Sequence, residues 1–155
     1  MAFVYINGYP GVGKLTVANE LTHRSLALSE ATTSAPHITY IFTDSQSSSD
    51  IGLATAQEYE TSAKKRRCPF VSIILSCHLE ENMRRLQAVG RGESTDTKLT
   101  DLDIFRSIRE TEDVYHFGGP MELELEVTET SAAATAEKIH AFIRESLPSQ
   151  DLKFT

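Results

Sequence analysis

The chain has 155 residues, of which 40% are hydrophobic, and its 22 acidic against 15 basic residues give a formal net charge of -7. This length suffices for one α/β domain, so we expect residues 1–155 to form a single domain. The acidic balance argues against the basic surface that sequence-independent binding of nucleic acid requires, and a small molecule is the expected partner. No apolar stretch could span a bilayer and the start lacks signal-peptide features, so we expect a cytoplasmic protein without a membrane partner.

The first third of the chain predicts a strand, a glycine loop, a helix and a second strand. Residues 2–6 form a short apolar run rich in β-forming side chains, which is typical of a strand buried on both faces. From Gly13 onward, apolar side chains recur at helical spacing. A second apolar run, residues 38–42, predicts another strand, which is followed by the polar pair Thr43-Asp44.

Two further helices enclose a third strand. Asp50 is placed to cap a helix that turns Leu53 and other apolar residues inward. The apolar run 70–75 predicts a third buried strand, and the helix after it is expected to end at Gly90, a residue suited to a left-handed terminal position. A polar loop, residues 91–99, follows.

The last third predicts a helix, a strand and a final helix. Thr100 with Asp103 resembles a capping box, and the helix that follows is expected to run until Gly118 and its neighbours break it. Residues 121–127 alternate between apolar residues and glutamates, which predicts a strand with one solvated face near a sheet edge, and residues 131–147 predict the final helix. Four strands alternating with helices predict an α/β fold with a parallel sheet covered on both sides.

The loop between the first strand and the first helix carries the strongest chemical signal. Residues 8–14 have the glycine and lysine spacing of a phosphate-binding loop, in the strand-loop-helix context that this motif requires. Its glycines let backbone N–H groups point at phosphate oxygens, and the helix N-terminus adds unpaired donors. Leu15 stands where a hydroxyl for Mg²⁺ is usual, and that hydroxyl comes one residue later. The residues expected to bind the nucleotide are Gly8, Pro10, Gly11, Val12, Gly13, Lys14, Leu15 and Thr16.

In these residues the chain resembles the P-loop kinases of small molecules related to nucleoside monophosphate kinases, shikimate kinase and gluconate kinase. Residues 8–16 are similar to the adenylate-kinase form of the loop, in which the residue after the lysine also lacks a hydroxyl and a threonine follows. The resemblance implies a three-layer P-loop NTPase fold, ATP and Mg²⁺ as cofactors, and transfer of the γ-phosphate to a small-molecule acceptor. It also implies that Thr16 contacts the α-phosphate and that the metal is held largely through water.

The resemblance assigns roles to residues outside the loop. Asp44 matches the aspartate near the metal in these kinases, so it is the candidate for binding a Mg²⁺ water and for activating the acceptor hydroxyl. Residues 90–100 have the position and polarity of a short lid, and the segment with Arg106 and Arg109 resembles its returning arm. Arginines there would neutralise charge on the transferred oxygens. Arg84, Arg85 and Arg109 also suit exposed helix faces paired with acidic residues. The catalytic candidates, besides Lys14 and Asp44, are Arg91, Arg85 and Arg106.

The acceptor-binding region of these kinases is shortened here. The family inserts it between the first helix and the strand that ends in the aspartate, whereas residues 29–37 alone join these elements. Two interpretations stay open: the acceptor binds among Asp44, Gln46, the serines after it and the lid, or the chain is a shortened module that binds nucleotide without efficient transfer. The shortening would also expose a sheet edge beside residues 38–42, and a homodimer that covers it is a hypothesis.

Overall fold

A computed structural model of the protein describes residues 2–29, 39–88 and 98–147, without the side chains of residues 24–29. Most of the short link after the first helix, Gly90, Arg91 and most of the expected lid lie outside the described residues. Within the described ranges, no helix combines the length and the apolar character needed to cross a bilayer. The elements are β1 (Ala2–Gly8), α1 (Lys14–Ser29), β2 (Thr39–Thr43), α2 (Asp50–Lys65), β3 (Phe70–Ser76), α3 (Leu79–Leu86), α4 (Leu102–Thr111), β4 (Glu122–Glu126) and α5 (Ala132–Ser146).

The described strands form one parallel sheet in the order β2-β1-β3-β4. Val4 of β1 lies beside Ile41 of β2 on one side and Val71 of β3 on the other. Every residue of β1 is buried, as expected for a central strand that is covered on both faces. The predicted three-layer α/β fold, with a parallel sheet of about four strands flanked by helices, is confirmed.

The alternation of side chains along β1 separates the two halves of the core. Val4 and Ile6 pack in an aliphatic cluster with Leu21 of α1 and Ile139 of α5. The intervening residue Tyr5 belongs to an aromatic cluster on the other face of the sheet. Its ring centroid lies 4.8 Å from that of Tyr59 in α2 and 5.8 Å from that of Phe117.

Two helix caps differ from the sequence prediction by one residue. Ser49, not Asp50, caps α2, because Ser49 is the last residue with extended backbone angles and its hydroxyl accepts the N–H of Gly52. Asp101, not Thr100, caps α4, and its carboxylate accepts the N–H of Asp103 at 2.9 Å and that of the next residue at 3.0 Å. In each case the polar residue next to the predicted cap makes the contact.

The helix α4 ends at Thr111, well before the predicted break at Gly118. The residues that follow, 112–117, form a connecting segment that lies antiparallel to the turn after β2, with Val114 opposite Ser47. The N–H of Ser48 donates to the Asp113 carbonyl at 2.8 Å, and the connecting segment donates back to Gln46 at 2.9 Å. Because these backbone groups pair with a distant turn, they do not continue the helix.

The glutamate face of β4 is only partly solvated, although β4 lies at the predicted edge of the sheet. The Glu122 side chain is 7% exposed. Its carboxylate accepts the Ser72 hydroxyl at 2.9 Å and the backbone N–H of Phe117 at 2.8 Å. Glu124 is 68% exposed, as predicted. The prediction was wrong for Glu122 because the turn before β4 folds over that carboxylate and, together with Ser72 of β3, supplies its donors.

Candidate functional site

The phosphate loop has a backbone that two of its glycines make possible. Gly8 has φ +151° and Gly11 has φ +84°. A Cβ atom on Gly8 would lie 2.4 Å from the Leu75 carbonyl oxygen, and one on Gly11 would lie 2.8 Å from Cγ of Leu86. The loop therefore passes against β3 and α3 so closely that no side chain fits at either position.

Lys14 opens helix α1 and turns its ammonium group back over the loop. Nζ donates to the carbonyl oxygens of Gly8 at 2.6 Å and Tyr9 at 3.0 Å, and to the Ser45 hydroxyl at 2.7 Å. The positive charge thus lies between the loop and the turn after β2, where the predicted terminal phosphates would be. Leu15 projects outward and is 51% exposed.

One cavity brings six of the eight predicted loop residues together with Asp44, whereas Gly8 and Val12 do not line it. Its volume is about 550 Å³. Parallel strands place their carboxyl ends at the same edge of the sheet, which explains why the loop after β1 and the aspartate after β2 meet there. The lining residues are Pro10, Gly11, Gly13, Lys14, Leu15, Thr16, Thr43, Asp44, Ser45, Lys98 and Leu99. We call this space the phosphate cavity.

The Asp44 carboxylate is held by two donors. Oδ1 accepts the N–H of Ser45 at 2.8 Å, and Oδ2 accepts the Tyr59 hydroxyl at 3.1 Å. Burial, and then the Asp44 charge, raise the pKa of the Tyr59 hydroxyl, so this tyrosine stays protonated and donates. The carboxylate is half-buried at the wall of the phosphate cavity, with its orientation fixed.

Asn7 fixes the turn after β2 and was not identified as a site residue from the sequence. Its side chain is fully buried. Oδ1 accepts the N–H of Gln46 at 2.8 Å, while Nδ2 donates to the carbonyl oxygens of Gln46 at 2.9 Å and Tyr115 at 3.1 Å. The signal in the sequence is a carboxamide at the end of an otherwise apolar strand, a position where a buried polar group needs partners.

Of the predicted catalytic arginines, Arg85 lies beside the loop but contacts protein carbonyls. Its guanidinium donates to the Val12 carbonyl at 2.9 Å, to the Val127 carbonyl at 2.8 Å and to the Thr128 carbonyl at 3.1 Å. Its Nε also donates to Glu81 at 2.6 Å. In this arrangement Arg85 joins the phosphate loop to the end of β4.

The structure separates Arg106 from the loop and brings Arg109 to it. Arg106 is 53% exposed, lies 3.6 Å from Asp103 and does not line the phosphate cavity. The guanidinium of Arg109, by contrast, lies over the Tyr9 ring, 4.3 Å from its centroid. The sequence indicates that Arg109 faces the inside of the protein, because it is four residues after the buried Phe105 and so shares its helix face.

A further cavity of about 290 Å³ lies on the opposite side of the loop. It is lined by residues of the loop and of α1, including Gly13 and Thr16, by α3, including Arg85, and by the segment after β4 with the start of α5, including Ser131. Because Gly13 and Thr16 also line the phosphate cavity, the two spaces are adjacent. We call this second space the side cavity.

Comparisons with known proteins support the fold assignment. No family model matches the chain, and no curated protein sequence matches it. Among solved structures, the chain is similar to a tunicamycin resistance protein from Deinococcus radiodurans, with 17% identity over 92% of this chain and 95% of that chain and a TM-score of 0.50. It is also similar to the protein APE1195, with 15% identity over 93% of this chain and 95% of that chain and a TM-score of 0.55. At these identities the likeness shows a shared α/β fold with a four-stranded parallel sheet.

Proposed function

We propose that the protein binds ATP with Mg²⁺ and transfers the γ-phosphate to a small-molecule acceptor. The observation that carries this proposal is the phosphate cavity, in which a glycine loop, the start of α1, Lys14 and Asp44 line the same space. Loop N–H groups and a helix N-terminus favour bound phosphate, and a lysine adds positive charge where the terminal phosphates would lie. A glycine turn with only a structural role would not require an aspartate and a lysine to line the adjacent cavity.

The residues around the cavity fit a hydrated Mg²⁺ ion. Thr16 offers a hydroxyl oxygen and Asp44 a carboxylate oxygen, which are the hard ligands that this ion prefers, while Leu15 offers none. Mg²⁺ keeps several of its waters in such sites, so contacts through water suit this sparse set of ligands. When bound, the ion would neutralise charge on the β- and γ-phosphates.

The side cavity is the place we propose for the nucleoside part of ATP. It adjoins Gly13 and Thr16, at the end of the loop where the α-phosphate would lie. The sequence contains no Asn-Lys-x-Asp element of the kind that binds guanine in GTPases, which favours ATP over GTP. This arrangement leaves the opposite end of the phosphate cavity, near Asp44, for the acceptor.

In the proposed reaction an acceptor hydroxyl attacks the γ-phosphorus in line with the departing ADP. Asp44 is the candidate to accept the hydroxyl proton, because its carboxylate is oriented by Ser45 and Tyr59 at the cavity wall. Lys14 stabilises negative charge that develops on the transferred oxygens. Of the arginines of α4, Arg109 is the candidate to share this stabilisation, since it contacts Tyr9 of the loop.

A second candidate function is a nucleotide-binding module with little or no transfer activity. The short link between α1 and β2, which spans residues 30–38, favours it, because related kinases place an acceptor-binding region there. This module would use the same phosphate cavity and the same lysine. The two candidates therefore differ in turnover and agree on binding.

Calorimetric titration with MgATP tests the site itself. We expect Lys14→Ala to raise Kd about 10- to 100-fold, equivalent to about 1.5–3 kcal/mol for a hydrogen bond to a charged group. The matched control is Lys64→Ala, since Lys64 is 68% exposed and pairs with Glu60 on α2. Equal affinity in wild type and Lys14→Ala would refute the proposed site.

Asp44→Asn separates the two candidate functions. The amide keeps the shape of the side chain but is a far weaker base, so a kinase should lose turnover and keep most of its affinity for ATP. The assay is ADP release with and without acceptors, alongside the urea midpoint as a measure of folding. A wild-type protein that binds MgATP and shows no acceptor-dependent ADP release would support the binding module instead.

A further inference from the structure

A small cavity adjoins the phosphate cavity on the side of the connecting segment. Its volume is about 90 Å³, and it shares Pro10 and Ser45 with the phosphate cavity. Its walls are the phosphate loop, the turn after β2, and the last turn of α4 with the start of the connecting segment. A group bound there would lie beside the terminal phosphate, which the loop and Lys14 are proposed to hold.

The walls of the small cavity are fixed by contacts between distant parts of the chain. The Tyr9 hydroxyl donates to the Glu112 carbonyl at 2.6 Å, and the N–H of Ser48 donates to the Asp113 carbonyl at 2.8 Å. Burial raises the pKa of the Tyr9 hydroxyl, which keeps it protonated as a donor. Asn7 ties the other wall in place through its bonds to both backbone segments. Hydrogen bonds between distant parts of the chain thus hold the walls of the small cavity in place.

The charged residues that line the small cavity are acidic. Glu112 and Asp113 contribute to its wall, and no lysine or arginine is among the described residues that line it. Arg109 lies over the Tyr9 ring, which is part of the wall, but does not itself line the cavity. Carboxylates attract an ammonium group and repel a phosphate. The Lys14 ammonium donates to the Gly8 and Tyr9 carbonyls and to the Ser45 hydroxyl on the shared wall, but Lys14 itself lines the phosphate cavity and not the small cavity.

We propose that the small cavity binds the reactive end of the acceptor, and that the acceptor is an alcohol carrying a protonated amine, not a phosphorylated compound. The inference rests on the proposed phosphoryl transfer. In that step the acceptor oxygen bonds to the γ-phosphorus as the bond from this phosphorus to the β–γ bridging oxygen breaks. The electron pair leaves with ADP, and the hydroxyl proton passes to Asp44. The ammonium group is unchanged and is held by Glu112 or Asp113.

Matched acceptors test the charge preference directly. One set is 3-amino-1,2-propanediol, glycerol and glycerol 3-phosphate; a second set is glucosamine, glucose and glucose 6-phosphate. ADP release in the presence of MgATP is measured with each compound, and MgATP affinity is measured in the same samples. We expect the amine of each set to give kcat/KM about tenfold above its neutral partner, the factor that corresponds to one modest charge-assisted contact.

A double variant, Glu112→Gln with Asp113→Asn, should remove most of that amine advantage and leave MgATP affinity unchanged. Both side chains are exposed, so the variant should fold, and its urea midpoint checks this. Glu110→Gln is the matched control, because Glu110 is exposed on the last turn of α4, just before these two residues, and does not line the small cavity.

Three results would overturn the acceptor assignment. They are preference for a neutral or phosphorylated compound, an amine preference that survives in the double variant, and stimulation by none of the six compounds in a protein that binds MgATP. Failure of the wild-type protein to bind MgATP would instead overturn the proposed function on which the inference rests.

Discussion

Replacing Asn7 by leucine tests whether one buried side chain holds the floor of the site together. Leucine has nearly the same shape as asparagine but neither donates nor accepts hydrogen bonds. The change removes three bonds, at 2.8, 2.9 and 3.1 Å, that join β1 to Gln46 and Tyr115. It also leaves the Gln46 N–H and the Tyr115 carbonyl without the partner that the native side chain provides.

The expected cost follows from these contacts. Three hydrogen bonds at about 1 kcal/mol each give about 3 kcal/mol, and the polar groups left unpaired add about 1 kcal/mol. A loss of about 3–4 kcal/mol is a large share of the roughly 5–15 kcal/mol that stabilises a typical domain. At a urea dependence of about 2 kcal/mol per molar, the unfolding midpoint should fall by about 1.5–2 M.

Asn82→Leu is the matched control, because Asn82 is also an asparagine with no exposed surface. Its Nδ2 donates to the Pro10 carbonyl at 2.8 Å, and its Oδ1 is buried without a partner. Leucine there loses one bond and removes one unpaired acceptor, so the change should stay within about 1 kcal/mol. Equal losses of stability in the two variants would refute the role assigned to Asn7.

The remaining predictions concern the loop and the helix beside it. Gly11→Ala should lower the free energy of unfolding, measured in urea, more than Gly119→Ala does. Both glycines have positive φ, a conformation that costs a residue with a side chain about 1–3 kcal/mol. Only Gly11 also lacks space for a Cβ atom. Equal losses of stability in the two variants would show that backbone strain alone determines the cost of the substitution. Hydrogen bonds from two arginines on α3 lower the pKa of Glu81 from 4.5 to about 2. The stabilisation from this carboxylate is therefore present above pH 4.5 and lost as pH falls toward 2. The difference in urea midpoint between wild type and Glu81→Gln should shrink over this pH range. A difference that does not change with pH would contradict the pairing of Glu81 with the arginines.

The features that the sequence predicted well are those set by neighbouring residues. Buried strands appear as short apolar runs, and the phosphate loop as glycines and a lysine at fixed spacing between a strand and a helix. The meeting of the loop with Asp44 could also be foreseen, because parallel strands align their carboxyl ends. The prediction of Glu122 as solvated failed because its donors come from β3 and from the turn before β4.

Features that depend on contacts between distant parts of the chain could not be predicted from local sequence patterns. The connecting segment leaves the helical pattern because its backbone pairs with residues 46–48, far away in the chain. The bonds of Asn7 depend on the same pairing. Arg85 was proposed as a catalytic arginine near the lid, but its carbonyl partners in Val127 and Thr128 lie at the end of another strand. Arg109 shares the face of α4 that carries the buried Phe105, whereas Arg106 is exposed.

The two edges of the sheet differ in how they would meet a strand from another molecule. At β4, Glu124 and Glu126 place negative charges along the outermost strand. At β2, residues 39–43 carry no charge and include the partly exposed ring of Tyr40. Charged side chains on an edge hinder strand pairing between molecules, which protects the β4 edge against aggregation. If the chain forms the hypothesised homodimer, the uncharged β2 edge is where one sheet could continue into another.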